Sequence, residues 1–332
     1  MATPLLTEVS GRRDFLRALG GCAMGGALAP AAFAAASRPL RGVFPIGQTP
    51  FTEDDKLDLA CLAAEVEFCR RGGVHGFAWP QIASGWSNLS ERERLDGAEA
   101  LIAAGKGGKT AIVIGVQTQG ADLEGALKYA RHAAKTGADA IISLPPEKAD
   151  DRGMIEYYRA IGAAGELPLI VQSQGGMSVD LVVNLFHEVP AMRCVKDEAG
   201  DPLQRVTEIR ERTGGKLAVF SGNGVRTMID EMRLGFSGHC PTTGLADLYA
   251  LTFDQWHAGR RKEAFDMFGR ILAFNSIRGA GSYIMVARGI FKESTRARAT
   301  PGMGSRGAPL DEAGKKVIRD ALDTYLKPYL RG

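Results

Sequence analysis

A chain of 332 residues with 45% hydrophobic and 24% charged side chains has material for one large α/β domain or two smaller ones. A formal net charge of +3, with no basic run interleaved with aromatics, argues against nucleic acid as a partner.

Roughly the first 37 residues read as an address rather than as part of the fold. Arg12-Arg13 is followed by Phe15-Leu16 and Arg17, then by a weakly hydrophobic Gly/Ala stretch from Ala18 to Ala31. Ala32-Phe33-Ala34 is a small-x-small cleavage box. This is the pattern of a twin-arginine (Tat) export signal, so the expected location is the periplasm. The stretch is too short and too rich in glycine and alanine for an anchor, so no stable membrane insertion is expected after cleavage. Cleavage removes Cys22 and leaves Cys61, Cys69, Cys194 and Cys240, which lack C-x-x-C spacing and read as buried free thiols.

From Arg41 onward strands and helices alternate. The first strand is 42–46, and Leu59, Leu62, Val66 and Cys69 then recur at helical spacing until Gly72-Gly73 stops the helix. A second strand covers 74–79, and Ser90 with Glu93 forms a capping box for the next helix. Residues 111–116 are continuously apolar, as expected for a strand buried on both faces of a parallel sheet. Further strands are read at 140–144, 167–171, 192–196, 217–221 and, more weakly, 235–240, with helical residues from Leu245 to Leu330. Eight β-then-α units predict a (β/α)₈ TIM barrel over residues 38–245, with the last barrel helix and a helical extension over 246–332. A doubly wound sheet would need a glycine-rich fingerprint after the first strand, and Gly47-Gln48-Thr49-Pro50 is not one.

Lys196 ends the sixth strand, at the barrel end where such folds hold their active sites. A buried lysine loses hydration, which favours its neutral, nucleophilic form and suits it to a Schiff base with a carbonyl compound. Strand alternation puts Cys194, Lys196 and Glu198 on one face, with Val195 and Asp197 on the other. No His/Asp/Glu grouping has metal-ligand spacing, and neither metal nor cofactor is expected.

Several motifs occur in order: Gly42-Val43-Phe44-Pro45 through Thr49-Pro50-Phe51, the Leu89-to-Arg94 helix start, Val195-Lys196-Asp197-Glu198-Ala199-Gly200-Asp201 and Phe220-Ser221-Gly222-Asn223. Together they resemble the dihydrodipicolinate synthase and N-acetylneuraminate lyase superfamily. The resemblance implies a class I aldolase barrel, a homo-oligomer (tetramer or dimer), and a lysine, here Lys196, that forms a Schiff base with pyruvate or another 2-oxo acid.

Two departures from the family pattern stand out. The usual Gly-Thr-Thr-Gly-Glu after the second strand, which holds the substrate carboxylate, is replaced by Gln81-Ile82-Ala83-Ser84-Gly85. By resemblance Ile82, Ala83 and Ser84 line the substrate site, joined by Ser221, Gly222 and His239. Gln172 stands where the family carries a proton-relaying tyrosine, and an amide cannot give up a proton as a phenol does. Glu198 is the first candidate to replace that relay, as a carboxyl tuned toward neutral pH, and His239 is the second. The expected function is a Schiff-base-forming lyase, aldolase or hydratase, acting on a 2-oxo acid. The alternative is a catalytically altered barrel that binds or senses a small carboxylate.

Overall fold

The computed structural model describes residues 38–297 and 310–332, so the expected export signal lies outside the described residues. Eight parallel strands form one sheet: β1 (Gly42–Val43), β2 (Gly76–Trp79), β3 (Ala111–Gly115), β4 (Ala140–Ser143), β5 (Leu169–Ser173), β6 (Met192–Asp197), β7 (Ala218–Ser221) and β8 (Gly238–His239). Neighbours from β2 to β8 are consecutive in sequence, β1 pairs with β8, and an Ile46–Ala78 bridge joins the segment after β1 to β2. The result is the expected (β/α)₈ barrel.

The two seam strands are shorter than their sequence predicts. Pro45 and Pro241 lie just beyond β1 and β8 and have no N–H for a ladder. At β5 the difference runs the other way. The strand begins after Pro168 and extends to Ser173, so Gln172 belongs to the sheet and pairs in register with Lys196.

The barrel helices are α1 (Leu59–Arg71), α2 (Glu91–Gly105), α3 (Leu123–Thr136), α4 (Asp151–Gly165), α5 (Val179–Glu188), α6 (Pro202–Arg212), α7 (Met228–Leu234) and α8 (Ala246–His257). Beyond them lie α9 (Arg261–Asn275), α10 (Ala280–Ala287) and α11 (Glu312–Ala321). The capping box at α2 is present: Ser90 N–H donates to Glu93 Oε2 at 2.8 Å, and Glu93 N–H to Ser90 Oγ at 3.3 Å. No helix among the described residues is long and apolar enough to cross a membrane.

Alternation along the strands divides the apolar side chains into two cores. Val113, Ile142, Ile170, Cys194 and Phe220 fill the barrel interior, while Ile112, Ile141, Val171, Val195 and Val219 pack outward against the helices. Cys61, Cys69, Cys194 and Cys240 are buried free thiols, the first two both on α1.

Candidate active site

The tip of β6 carries three charged residues whose directions follow the strand's two-residue period. Lys196 shares the inward face of Cys194 and is only 4% exposed. Asp197 faces outward, where Arg205 of α6 grips it through Nε to Oδ2 at 2.9 Å and Nη2 to Oδ1 at 3.1 Å, and the Ser173 hydroxyl also donates to it. Glu198 returns to the inward side, with Oε2 3.1 Å from Lys196 Nζ. The Gln172 amide N–H donates to that same oxygen, so Gln172 and Lys196 flank one carboxylate.

The other carboxylate oxygen, Oε1, accepts the Asn223 N–H at 3.1 Å. A Cβ placed on Gly222 would lie 1.8 Å from it. The Ser221-Gly222-Asn223 motif therefore makes room for Glu198 and supplies one of its donors. Asp201, through its contact with Leu203 N–H at 3.1 Å, caps α6 and leaves Glu198 to the site. Burial pushes the Glu198 carboxyl up, but the Lys196 charge, the Asn223 amide and the Gln172 amide outweigh it and hold the group below the usual range. This corrects the expectation of a shift toward neutrality. At rest Glu198 is a carboxylate, ready to take a proton rather than give one.

The other expected site residues fare differently. Ser84 is 2% exposed and its hydroxyl is committed to backbone: it donates to Gly47 O at 2.6 Å and accepts from Gln81 N–H at 3.0 Å. The one hydroxyl retained in the loop thus closes a turn instead of facing a substrate. Ala83 packs against the barrel-interior cluster, so the short Ile82–Ser84 helical turn does border the mouth.

His239 and Ser221 also require correction. They are register partners, and the inward positions of their strands belong to Phe220 and Gly238, so both side chains face the helix layer. There His239 Nδ1 lies 2.6 Å from Glu231 Oε2 and ring-stacks with Phe236. The Ser221 hydroxyl donates to the same oxygen at 2.5 Å. His75 lies at the opposite end of the barrel, between Val43 N–H and Asp254.

Three polar features were not anticipated. Gln81 Nε2 donates to Gln117 Oε1 at 3.0 Å and Gln117 Nε2 to Pro80 O at 2.7 Å, a knot packed over the inward-facing Gly115. The buried Arg94 guanidinium holds the end of β3 through Gln117 O at 2.6 Å and Gly115 O at 2.8 Å, and stacks on Tyr129. Glu65 of α1 is completely buried, accepting from Gln48 N–H at 3.1 Å and the Thr243 hydroxyl at 2.7 Å.

A surface cavity of about 770 Å³ lies elsewhere, between α9 and the C-terminal segment, lined by Phe265, Arg270, Phe274, Tyr325 and Tyr329 among others. It offers no buried nucleophile beside a base, so the chemistry points to the barrel mouth.

A model of the dihydrodipicolinate synthetase family matches residues 39–286. The 4-hydroxy-tetrahydrodipicolinate synthase of Rhizobium meliloti (strain 1021) is 30% identical over 207 residues, covering 60% of this chain and 67% of that protein. The enzyme of the same name from Haloarcula marismortui is 31% identical over 196 residues, covering 56% of this chain and 62% of its own length. Among solved structures, dihydrodipicolinate synthase from Rhodopseudomonas palustris superposes with a TM-score of 0.72 at 22% identity, covering 85% of this chain and 97% of that one. N-acetylneuraminate lyase from Proteus mirabilis gives 0.73 at 18%, covering 86% and 99%. The prophage protein YagE from E. coli K12, solved in complex with pyruvate, gives 0.72 at 19%, covering 86% and 98%. These structures share the barrel and its C-terminal helices. With the family model matching most of its length and Lys196 at the tip of β6, the chain belongs to the dihydrodipicolinate synthetase family.

Proposed function

We propose that the protein is a Schiff-base-forming lyase, of aldolase or hydratase type, acting on a 2-oxo acid such as pyruvate or a derivative. The observation that carries this reading is the pair at the barrel mouth, the buried Lys196 with its Nζ 3.1 Å from Oε2 of the partly buried Glu198. An ammonium has no lone pair, and Glu198 is placed to accept the proton that must leave. The freed amine attacks the carbonyl carbon of the ligand, whose oxygen takes up a proton to give a carbinolamine. A further proton lost from nitrogen then accompanies the departing hydroxyl, leaving an iminium and water. Both hydrogens of that water originate on the lysine ammonium, and the iminium keeps the third. The condensation therefore needs no outside proton, only a group that ferries protons between nitrogen and oxygen. Glu198 does this in place of a tyrosine, while Gln172 holds the ferrying oxygen.

Borohydride reduction in the presence of a panel of 2-oxo acids, read by intact mass, tests the reading. A stable adduct is expected on the wild type and none on Lys196→Ala, with slower trapping in Glu198→Gln. The binding or sensory alternative is favoured by the amide at Gln172 and the committed hydroxyl of Ser84. It takes over if no 2-oxo acid traps while a small carboxylate still raises the melting temperature.

The Arg12-Arg13 pair and the Ala32-Phe33-Ala34 box support export to the periplasm by the Tat route. Replacing both arginines by lysine should retain the precursor in the cytoplasm, and unchanged periplasmic recovery would refute this. Family membership supports a homo-oligomer, dimer or tetramer, which light scattering at micromolar concentration would contradict by returning a monomer mass.

A further inference from the structure

We propose that Glu231, on the outer side of the barrel wall, is a positioning residue for the reaction: it clamps both ends of the turn that carries Asn223, and through that turn it fixes Glu198. The catalytic consequence rests on the Schiff-base reading of Lys196; the clamp itself does not.

The turn runs from Gly222 to Arg226, between β7 and α7. Asn223, Gly224 and Val225 have φ of +51°, +74° and +52°, three successive left-handed residues of which only one is glycine. A β-branched valine in that region is strained, and such a conformation persists only where its surroundings hold it. Glu231 sits one turn into α7 and reaches back to both ends. Its Oε2 accepts the Ser221 hydroxyl at 2.5 Å, at the residue just before the turn. Its Oε1 accepts the Thr227 hydroxyl at 2.8 Å, at the residue just after it. His239 of β8 adds a contact to Oε2 at 2.6 Å, so the clamp is also tied to the next strand. Ser221, Glu231 and His239 are 2%, 4% and 0% exposed, which keeps water from competing for the bonds among them, while Thr227 stands exposed at the outer end of the clamp.

The free end of this lever is at the active site. One residue beyond Ser221, Gly222 leaves the gap that the Glu198 carboxylate occupies, and Asn223 N–H donates to it at 3.1 Å. If the turn relaxes, Asn223 takes a more ordinary conformation and its N–H leaves Glu198. A carboxylate that loses such a donor takes up a proton more readily, and the proton ferry is then filled before the reaction starts. Besides Ser221, Thr227 and His239, Glu231 has Tyr249 of α8 and Cys240 near it; Glu198 has Lys196 and Cys240.

The experiment follows the Glu198 carboxyl directly by carbon-13 NMR titration of the full-length protein, its signal assigned by loss in Glu198→Gln. In Glu231→Gln and in Thr227→Val the Glu198 titration should move up by about one pH unit. The acid limb of the trapping-rate profile should move with it, while affinity for a non-reacting carboxylate such as lactate stays within about twofold. Thr252→Ala removes a threonine hydroxyl that bonds backbone and not the clamp, donating to Leu248 O at 2.9 Å within α8, and should lower stability without moving Glu198. Glu198 unmoved in both clamp variants, or moved equally by Thr252→Ala, would overturn the proposal. Because the titration needs no 2-oxo acid, a wild type that traps nothing defeats the lyase reading while leaving the clamp to be judged by NMR. Thr227→Val carries the test by itself if Glu231→Gln does not fold.

Discussion

Two glutamates near the same end of the barrel, Glu65 fully buried and Glu198 partly so, have opposite acidities. Glu198 has a lysine ammonium at 3.1 Å and a donor on each oxygen, and it is held below the usual carboxylate range. Glu65 has two donors on Oε2 but no cation, and its Oε1 is buried without a hydrogen-bond partner. Burial dominates there, the Thr243 and Gln48 bonds oppose it only in part, and the group is pushed up to about 8. Both are glutamates surrounded by protein. The adjacent charge decides which is ionised at neutral pH, and only the one with a charged neighbour is equipped to accept a proton from it.

The contrast can be broken most strongly at Glu65. The folded state keeps its proton up to about pH 8, whereas the unfolded chain loses it near 4.5. Over that window the folded state holds the extra proton, so stability is greatest below the unfolded value and falls as pH rises toward 8. The full difference is on the order of 5 kcal/mol. Glu65→Gln removes the titration, so its unfolding free energy should decline much less between about pH 5 and about pH 8 than that of the wild type. Denaturant titrations at several pH values check this, and parallel wild-type and variant curves would erase the contrast.

A smaller effect is expected at Gly222, where the contrast is sharpened from the Glu198 side. The atom nearest a new Cβ is the carboxylate oxygen at 1.8 Å, the end of a side chain rather than backbone, so Gly222→Ala should fold and displace Glu198. Misplacing a catalytic group by about 1 Å costs roughly 10²-fold in rate, and borohydride trapping should slow by that order with little change in melting temperature. Trapping at the wild-type rate would show that the position of Glu198 does not matter. The smallest effect belongs to Gln172→Tyr, which keeps a donor toward Glu198 and adds a group able to move a proton. Trapping should be unchanged or faster. A loss beyond about tenfold would mean that the amide itself is required, and the role of Gln172 would need to be redrawn.

How far the sequence foretold this site depended on where each residue lies. Lys196 and Glu198 were readable as face-mates because strand parity is strict and the β6 motif is contiguous. His239 is a candidate by its place near the end of the eighth strand and its titration range, and parity gives no help there. β8 is only Gly238 and His239, too short to reveal which side is the barrel interior. The anchoring role of Ser84 depends on Gly47, a contact across 37 positions that local spacing does not reveal. Glu65 did leave a trace, since Leu62, Glu65, Val66 and Cys69 fall at i, i+3, i+4 and i+7, so the acid lies within its helix's apolar stripe. Glu231 left a fainter one, four residues after Thr227. Its meaning depends on a turn whose left-handed residues, apart from Gly224, carry no glycine signal. The fold was easier to read because eight repeats of one pattern reinforce one another.

The tip of β6 has a consequence for how the barrel assembles. Before the tip, Met192, Cys194 and Val195 are apolar and buried, and the charged Arg193 among them is exposed. A slip of one residue against β5 would exchange one set of apolar contacts for another at Cys194 and Val195. At the tip it would turn Lys196 into the apolar helix layer and swing Asp197, fully buried in its native place, away from the partly buried Arg205. Separating a buried charge pair costs about 3–5 kcal/mol, a large fraction of a domain's total stability. Lys196, Asp197 and Glu198 thus act as a three-pin key that admits one alignment of the growing sheet, and a chain that forms the reactive lysine's surroundings has thereby also chosen its register.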